Sequence, residues 1–305
     1  MTAIEEQHAQ AAMKGHEHLG LYAILFASFA WGTTGTAASF APEVSPFAIG
    51  AAAMGIGGLL QALRSHSALR REAAGIRREA RLWLIGALCV ALYPLAFYAS
   101  MRLAGVAIGT VISIASGPVF AALIEWAVEG KRLSPRWLVA AAISILGMAL
   151  LTLSHETSAE LSQINLGVVL GLCAGASYAA YSFTARKMML RGLSAAAAMG
   201  ATFGLGGALL MPVLVLTGAA FLDNLQNFAV GAYMALIPMF LGYVAFGYGL
   251  ARVTISTATM ITLVEPAVAA LLAVAILGEA LSAWGWMGIG LLCLGLLVLT
   301  LPLKR

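Results

Sequence analysis

The sequence predicts an all-α integral membrane protein, with ten transmembrane helices in two inverted five-helix repeats. Three observations carry that expectation. First, 61% of the 305 residues are hydrophobic and only 10% charged, with mean hydropathy +0.93, against roughly 45–50% apolar residues in a soluble domain. Second, the apolar residues form continuous runs of about 20, the length at which a helix crosses a bilayer. They do not alternate as barrel strands would. Third, the second half of the chain repeats the landmarks of the first at a constant offset.

Charged or turn-rich breaks delimit ten runs: 19–40, 44–63, 82–101, 104–126, 135–153, 164–185, 194–216, 227–250, 253–277 and 283–302. They predict a cytoplasmic tail over 1–18, a first repeat over 19–153 and a second over 164–302. No soluble domain fits between them. The longest connection, Arg64 to Arg81, carries the pairs Arg70-Arg71 and Arg77-Arg78 and is expected to lie as a surface helix on anionic headgroups.

The formal charge of +4 is distributed by topology and not gathered into a nucleic-acid-binding patch. With the N-terminus inside, the inner segments hold Lys14, six arginines between Arg64 and Arg81, Lys131, Arg132, Arg136, Arg186, Lys187, Arg191, Arg252, Lys304 and Arg305. The outer side holds only Arg102, so the count is 16 against 1. This bias predicts that both termini are cytoplasmic. The outer loops carry Glu43, Glu156, Glu160, Asp223 and Glu279.

No metal or cofactor site is expected. His8, His16, His18, His66 and His155 all lie outside the runs, which also removes the Ser/His or metal clusters that an intramembrane hydrolase needs. Cys89, Cys173 and Cys293 fall inside runs without ligand spacing and read as small core hydrophobes.

The repeat is clearest at an offset of 148 residues. It aligns Pro118 with Pro266, Ala121-Ala122-Leu123 with Ala269-Ala270-Leu271, Gly130 with Gly278, Leu133-Ser134 with Leu281-Ser282, and Leu146-Gly147 with Leu294-Gly295. Five runs per copy is odd, so the second copy enters from the opposite side, the arrangement that supports alternating access around a central site. Gly167, Gly171 and Gly175 form a small-residue ridge suited to close helix contact.

The run Thr254 to Ser282 carries Glu265 and Pro266 near its centre. A carboxylate there costs a few kcal/mol on the most lenient scale, so it is expected to face a packed interior or a wet cavity. Pro266 lacks a backbone N–H, which predicts a helix break with the Thr262 carbonyl unpaired and the Thr262 hydroxyl alongside. Pro118, after Ser116-Gly117, predicts a corresponding break in the first half. Glu265 has no counterpart there and is assigned to the solute or coupling ion. Aromatic residues suited to stacking or cation–π contact are Trp31, Tyr93, Tyr98, Tyr178, Tyr181, Tyr243 and Tyr248. Thr33, Thr34, Ser113, Ser116 and Ser177 offer hydroxyls, although such groups often bond back to the backbone. Glu125 is discounted as reaching the inner interface. No basic residue occupies a mid-membrane position, which disfavours multivalent anions. Neutral, zwitterionic or cationic small molecules remain, with protons as a candidate coupling ion and membrane lipid as the surroundings. Nothing here requires more than a monomer.

Trp31-Gly32, the run Ser116-Gly117-Pro118 ending in Glu129-Gly130-Lys131-Arg132-Leu133-Ser134, and Glu265-Pro266 ending in Gly278-Glu279-Ala280-Leu281-Ser282 resemble the drug/metabolite transporter superfamily in its EamA-type ten-helix branch. The chain looks closest to bacterial aromatic amino-acid exporters. That resemblance implies a bacterial inner-membrane carrier exporting amino acids and related metabolites, with export of cationic or amphipathic drugs as the alternative.

Overall fold

In the computed structural model, residues 3–104, 106–153, 161–278 and 280–300 are described. Among them every regular element is helical. In chain order these are α1 (Ala3–Gly32), α2 (Thr34–Ser39), α3 (Pro46–Gly50), a π-helical stretch (Ala51–Ile56), α4 (Gly57–Arg64), α5 (His66–Arg71), α6 (Ala73–Arg78), α7 (Ala80–Ala104), α8 (Val106–Glu129), α9 (Pro135–Leu153), α10 (Leu161–Leu190) and α11 (Ala195–Thr217). A 3-10 turn (Ala219–Leu222) leads to α12 (Leu225–Met234), a second π stretch (Ala235–Leu241), α13 (Gly242–Leu250), α14 (Ile255–Ile261), a 3-10 turn (Thr262–Val264), α15 (Glu265–Leu277) and α16 (Ala283–Thr300). Glu156, Glu160, His155 and Glu279 lie outside the described residues, as do Lys304 and Arg305.

Among the described residues, eight helical segments are long and apolar enough to cross a membrane: Pro46–Arg64, Ala80–Ala104, Gly109–Glu129, Ile164–Leu190, Ala195–Thr217, Leu225–Leu250, Ile255–Leu277 and Ala283–Thr300. Pro135–Leu150 is a shorter apolar helix. The chain is a multi-pass membrane protein. α7 packs along α10 and α1 along α13; α4 lies on α11, α8 on α14, and α9 along α16. Gly171 and Gly175 bring α10 against its neighbours. A Cβ on Gly171 would lie 2.8 Å from Ser100 Oγ, and one on Gly175 would fall on Ser116 Oγ and lie 2.8 Å from the Ser113 carbonyl.

The connection from Arg64 to Arg81 departs from its expectation. It folds into the two short helices α5 and α6, whose Ala68 and Ile76 are buried in a cluster with Met188, Leu193, Ala197 and Ala198. Glu72 accepts from the Ser194 N–H at 2.7 Å and Glu79 pairs with Arg191. These contacts at the α10–α11 corner give the segment a protein surface to cover, while Arg70, Arg71, Arg77 and Arg78 remain exposed. The cysteines also differ from expectation: Cys173 and Cys293 are exposed on the outside of the bundle and Cys89 is half-buried, as an apolar exterior in contact with lipid tolerates.

The two proline positions behave differently. α8 runs unbroken through Pro118, so the break expected there is absent. At Pro266 the helix does break, into α14, the 3-10 turn and α15. The Thr262 carbonyl is nonetheless satisfied, because the Glu265 N–H donates to it. Tighter 3-10 winding moves the bond one residue nearer and removes the expected orphan.

Candidate functional site

The break before Pro266 places Glu265 at the start of α15, facing a cavity of about 60 Å³ in the middle of the bundle. Space of that size holds a few water molecules and is well below the roughly 300–1,000 Å³ of sites that enclose a drug-sized ligand. The protein is therefore contracted around it. Glu265 is half-buried, and its carboxylate makes no hydrogen bond or ion pair with any described residue.

Aromatic rings from four helices enclose that carboxylate. α1 contributes Trp31, α7 contributes Tyr93, Phe97 and Tyr98, α10 contributes Tyr178, and α13 contributes Tyr243. The rings touch in series: Tyr98 meets Phe97 at 5.2 Å between centroids, Phe97 stacks on Tyr93 at 5.7 Å, and Tyr93 meets Tyr178 at 6.0 Å. Trp31 continues the series, edge-on to Tyr178 at 6.5 Å and tilted on Tyr243 at 4.7 Å. Such centroid separations are those of favourable aromatic pairs. Thr34 and Thr262 add hydroxyls to the lining, and the lining contains no Lys, Arg or His.

Each wall is held from behind. Trp31 Nε1 donates to the Pro238 carbonyl at 2.9 Å, inside the second π stretch. The Tyr178 hydroxyl pairs with the Thr262 hydroxyl at 3.1 Å. Thr34 donates to the Trp31 carbonyl at 2.7 Å, so its proton is taken by the last turn of α1. A Cβ on Gly50 would stand 2.6 Å from the Tyr98 ring, so that ring seats only because position 50 is glycine.

Of the residues expected at the site, Glu265, Thr262, Trp31, Thr34, Tyr93, Tyr98, Tyr178 and Tyr243 line the cavity. The others do not. Tyr181 is 0% exposed and sits behind the wall, its hydroxyl 2.7 Å from that of Tyr243. Tyr248 is 39% exposed and lies under the Arg252 guanidinium at 3.4 Å; five residues beyond Tyr243 on α13, it is turned about 140° away from the inward face. Ser116 belongs to the α8–α10 contact, Pro118 is buried in α8, and Pro266 is buried at the start of α15, neither proline lining the cavity.

Phe97, Met54 and Met239 also line the cavity, beyond the residues expected there. Phe97 was findable, since it lies one turn from Tyr93. Met54 and Met239 sit in the two π stretches, whose wider winding has no reliable sequence pattern and recurs at functional sites. Glu125 was discounted and is in fact 3% exposed. Its carboxylate accepts from the Ile255 and Ser256 N–H groups at 3.3 Å each, at the start of α14, and stands 3.7 Å from Lys131 Nζ. Lys131 and Lys187 also pair with Glu129, at 2.6 and 2.9 Å. The ends of α8 and α10 and the start of α14 are thus tied together.

Comparison with known proteins agrees with this architecture. The model of the EamA-like transporter family matches twice, over residues 18–153 and 165–301. The chain is 35% identical over 285 residues to "Uncharacterized transporter YwfM" of Bacillus subtilis, covering 91% of this chain and 92% of that protein. It is 25% identical over 169 residues to "Uncharacterized transporter" of Archaeoglobus fulgidus, covering 55% and 58%. A solved structure titled "Crystal structure of protein" superposes with a TM-score of 0.76 at 19% identity, over 94% of this chain and 96% of that one, and shows the same fold. The chain belongs to the EamA-like transporter family, within the drug/metabolite transporter superfamily.

Proposed function

We propose that this membrane transporter exports small amine-bearing solutes, amino acids with aromatic or other neutral side chains among them, by alternating access around Glu265. The observation that carries this reading is an unpartnered carboxylate facing a cavity walled by aromatic rings, with no basic side chain in the lining. An ammonium group meets that carboxylate, and a ring or apolar body lies between Trp31, Tyr93 and Tyr178. Glu265 takes a proton or the ammonium but not both, so proton exchange is the coupling we assign. The chamber comes from one chain, and the working unit is a monomer.

The transport cycle rests on ten spans forming two inverted repeats, with both termini in the cytoplasm and the protein in a bacterial inner membrane. The two matches of the family model support the repeat. So does the packing: α7 on α10 and α13 on α1 are equivalent contacts under a two-fold that exchanges the halves, while α8 with α14 and α9 with α16 each map onto themselves. The bias of basic residues supports the orientation.

Export of cationic drugs is the second reading, favoured by the lack of a basic partner for a substrate carboxylate. Purified protein in liposomes, tested with labelled amino acids and organic cations with and without a pH gradient, decides between them. Flux of amino acids that needs the gradient supports the first reading. Flux of cations alone, lost in Glu265→Gln, supports the second. No flux of any amine removes both.

A further inference from the structure

A second concavity, of about 520 Å³, opens between α2, α12 and α15. It lies next to the Glu265 cavity, separated by a thin partition. The adjacent residues Thr33 and Thr34 stand on either side, Thr34 lining the cavity and Thr33 the groove. Thr33 Oγ1 is 2.7 Å from the Tyr233 hydroxyl, which also lines the groove. Behind this partition the chain is jointed: α1 ends at Gly32, Thr33 is a single turn residue, and α2 begins at Thr34. α2 is pinned to α12 at both ends, by the Thr33–Tyr233 pair and by Gln226 Nε2 donating to the Phe40 carbonyl at 2.6 Å.

Thr36 supplies an independent observation. It forms part of the groove wall, is only 7% exposed, and its hydroxyl has no hydrogen-bond partner. Threonines on helices ordinarily return the proton to a carbonyl three or four residues earlier, as Thr33 and Thr34 do. A buried hydroxyl left unpaired costs stability, and this one is closed off from the groove while the Thr33–Tyr233 pair is made. Apart from Thr33, Gln226 and Tyr233, the rest of the wall, including Ala37, Val230 and Leu272, is apolar.

We propose that this groove is a second station for the transported solute, reached from the Glu265 cavity when the Thr33–Tyr233 hydrogen bond opens. It takes an amphipathic molecule, whose polar group meets Thr33 and Tyr233 while its apolar body lies on Ala37, Val230 and Leu272. The inference rests on the carrier reading above and goes beyond it by naming the way out of the cavity.

The test is access of a water-soluble cationic thiol reagent, trimethylammonium-ethyl methanethiosulfonate, to cysteines placed in protein lacking Cys89, Cys173 and Cys293 and held in lipid nanodiscs. Thr34→Cys reports on the cavity and Ala37→Cys on the groove. We expect Ala37→Cys to react readily, Tyr233→Phe to speed modification of Thr34→Cys at least 5-fold, and Leu272→Trp, which fills the groove, to cancel that gain. Ile276→Trp, at an exposed position on the same wall, serves if Leu272→Trp folds poorly. Failure of the reagent to reach Ala37→Cys would assign the groove to lipid and overturn the proposal. A Tyr233→Phe gain that survives both tryptophans would overturn it too, as would no gain. The labelling needs no knowledge of the solute, so absence of amine flux in liposomes counts against the carrier reading alone.

Discussion

The Tyr178 hydroxyl stands 3.1 Å from the Thr262 hydroxyl, joining the middle of α10 to the first residue of the 3-10 turn before Glu265. Thr262 also donates to the Thr259 carbonyl at 2.8 Å, so Tyr178 is the partner with more to lose. Tyr178→Phe is expected to cost about 0.5–1.5 kcal/mol, seen as a lower melting temperature in detergent. Transport should fall several-fold further than stability explains, because the turn that aims Glu265 loses its tether.

Trp31 fills the space between Tyr178, Tyr243 and Phe246 and donates to the Pro238 carbonyl. Trp31→Phe keeps a ring but loses that hydrogen bond, at about 0.5–1.5 kcal/mol. Trp31→Ala adds a cavity and is expected to cost about 3–5 kcal/mol. Thermal unfolding of the two variants should rank in that order, and equal losses would show that the hydrogen bond dominates the packing.

Glu125→Gln removes the charge that meets two backbone N–H groups at the start of α14 and stands beside Lys131. An amide oxygen still accepts one of them, so the expected cost is about 1–3 kcal/mol. Solute preference should not change, because Glu125 is not among the cavity-lining residues. A shifted substrate profile in liposomes would move Glu125 into the solute path.

Gly175 and Gly290 make a matched pair. A Cβ on Gly175 meets Ser116 Oγ and the Ser113 carbonyl, whereas one on Gly290 finds nothing within 4 Å. Gly175→Ala is expected to destabilise by about 1–3 kcal/mol, while Gly290→Ala should be neutral or stabilising by up to about 1 kcal/mol. Melting temperatures that fall alike in both would refute the close contact between α10 and α8.

Glu72 brings a pH dependence to the docked α5–α6 segment. Burial pushes its carboxyl up, but the Ser194 N–H and hydroxyl together with the Arg71 guanidinium outweigh burial and hold it below the ordinary 4.5. A depressed folded value means that its contribution is complete above about pH 4.5 and is lost as the pH falls through the lowered value. Hydrogen exchange of residues 66–78 should accelerate over that acid range in the wild type. In Glu72→Gln it should be faster throughout and flat across the same range.

Composition and run length alone determined the solvent: a chain with this many uninterrupted apolar residues has no way to satisfy its backbone in lipid except by helices or a closed barrel, and the absence of alternation removes the barrel. The cost of one carboxylate inside an apolar run likewise made Glu265 conspicuous without coordinates. Tertiary structure decided what local rules leave open. Pro118 and Pro266 look equivalent in the sequence, yet α8 runs on through the first, whereas a 3-10 turn interrupts the helix just before the second. Tyr243 and Tyr248 lie on one helix, but five residues turn it far enough that one ring faces the cavity and the other meets Arg252 outside. Which side of a helix faces inward depends on its neighbours, and where every face is apolar the periodicity that would reveal it is missing.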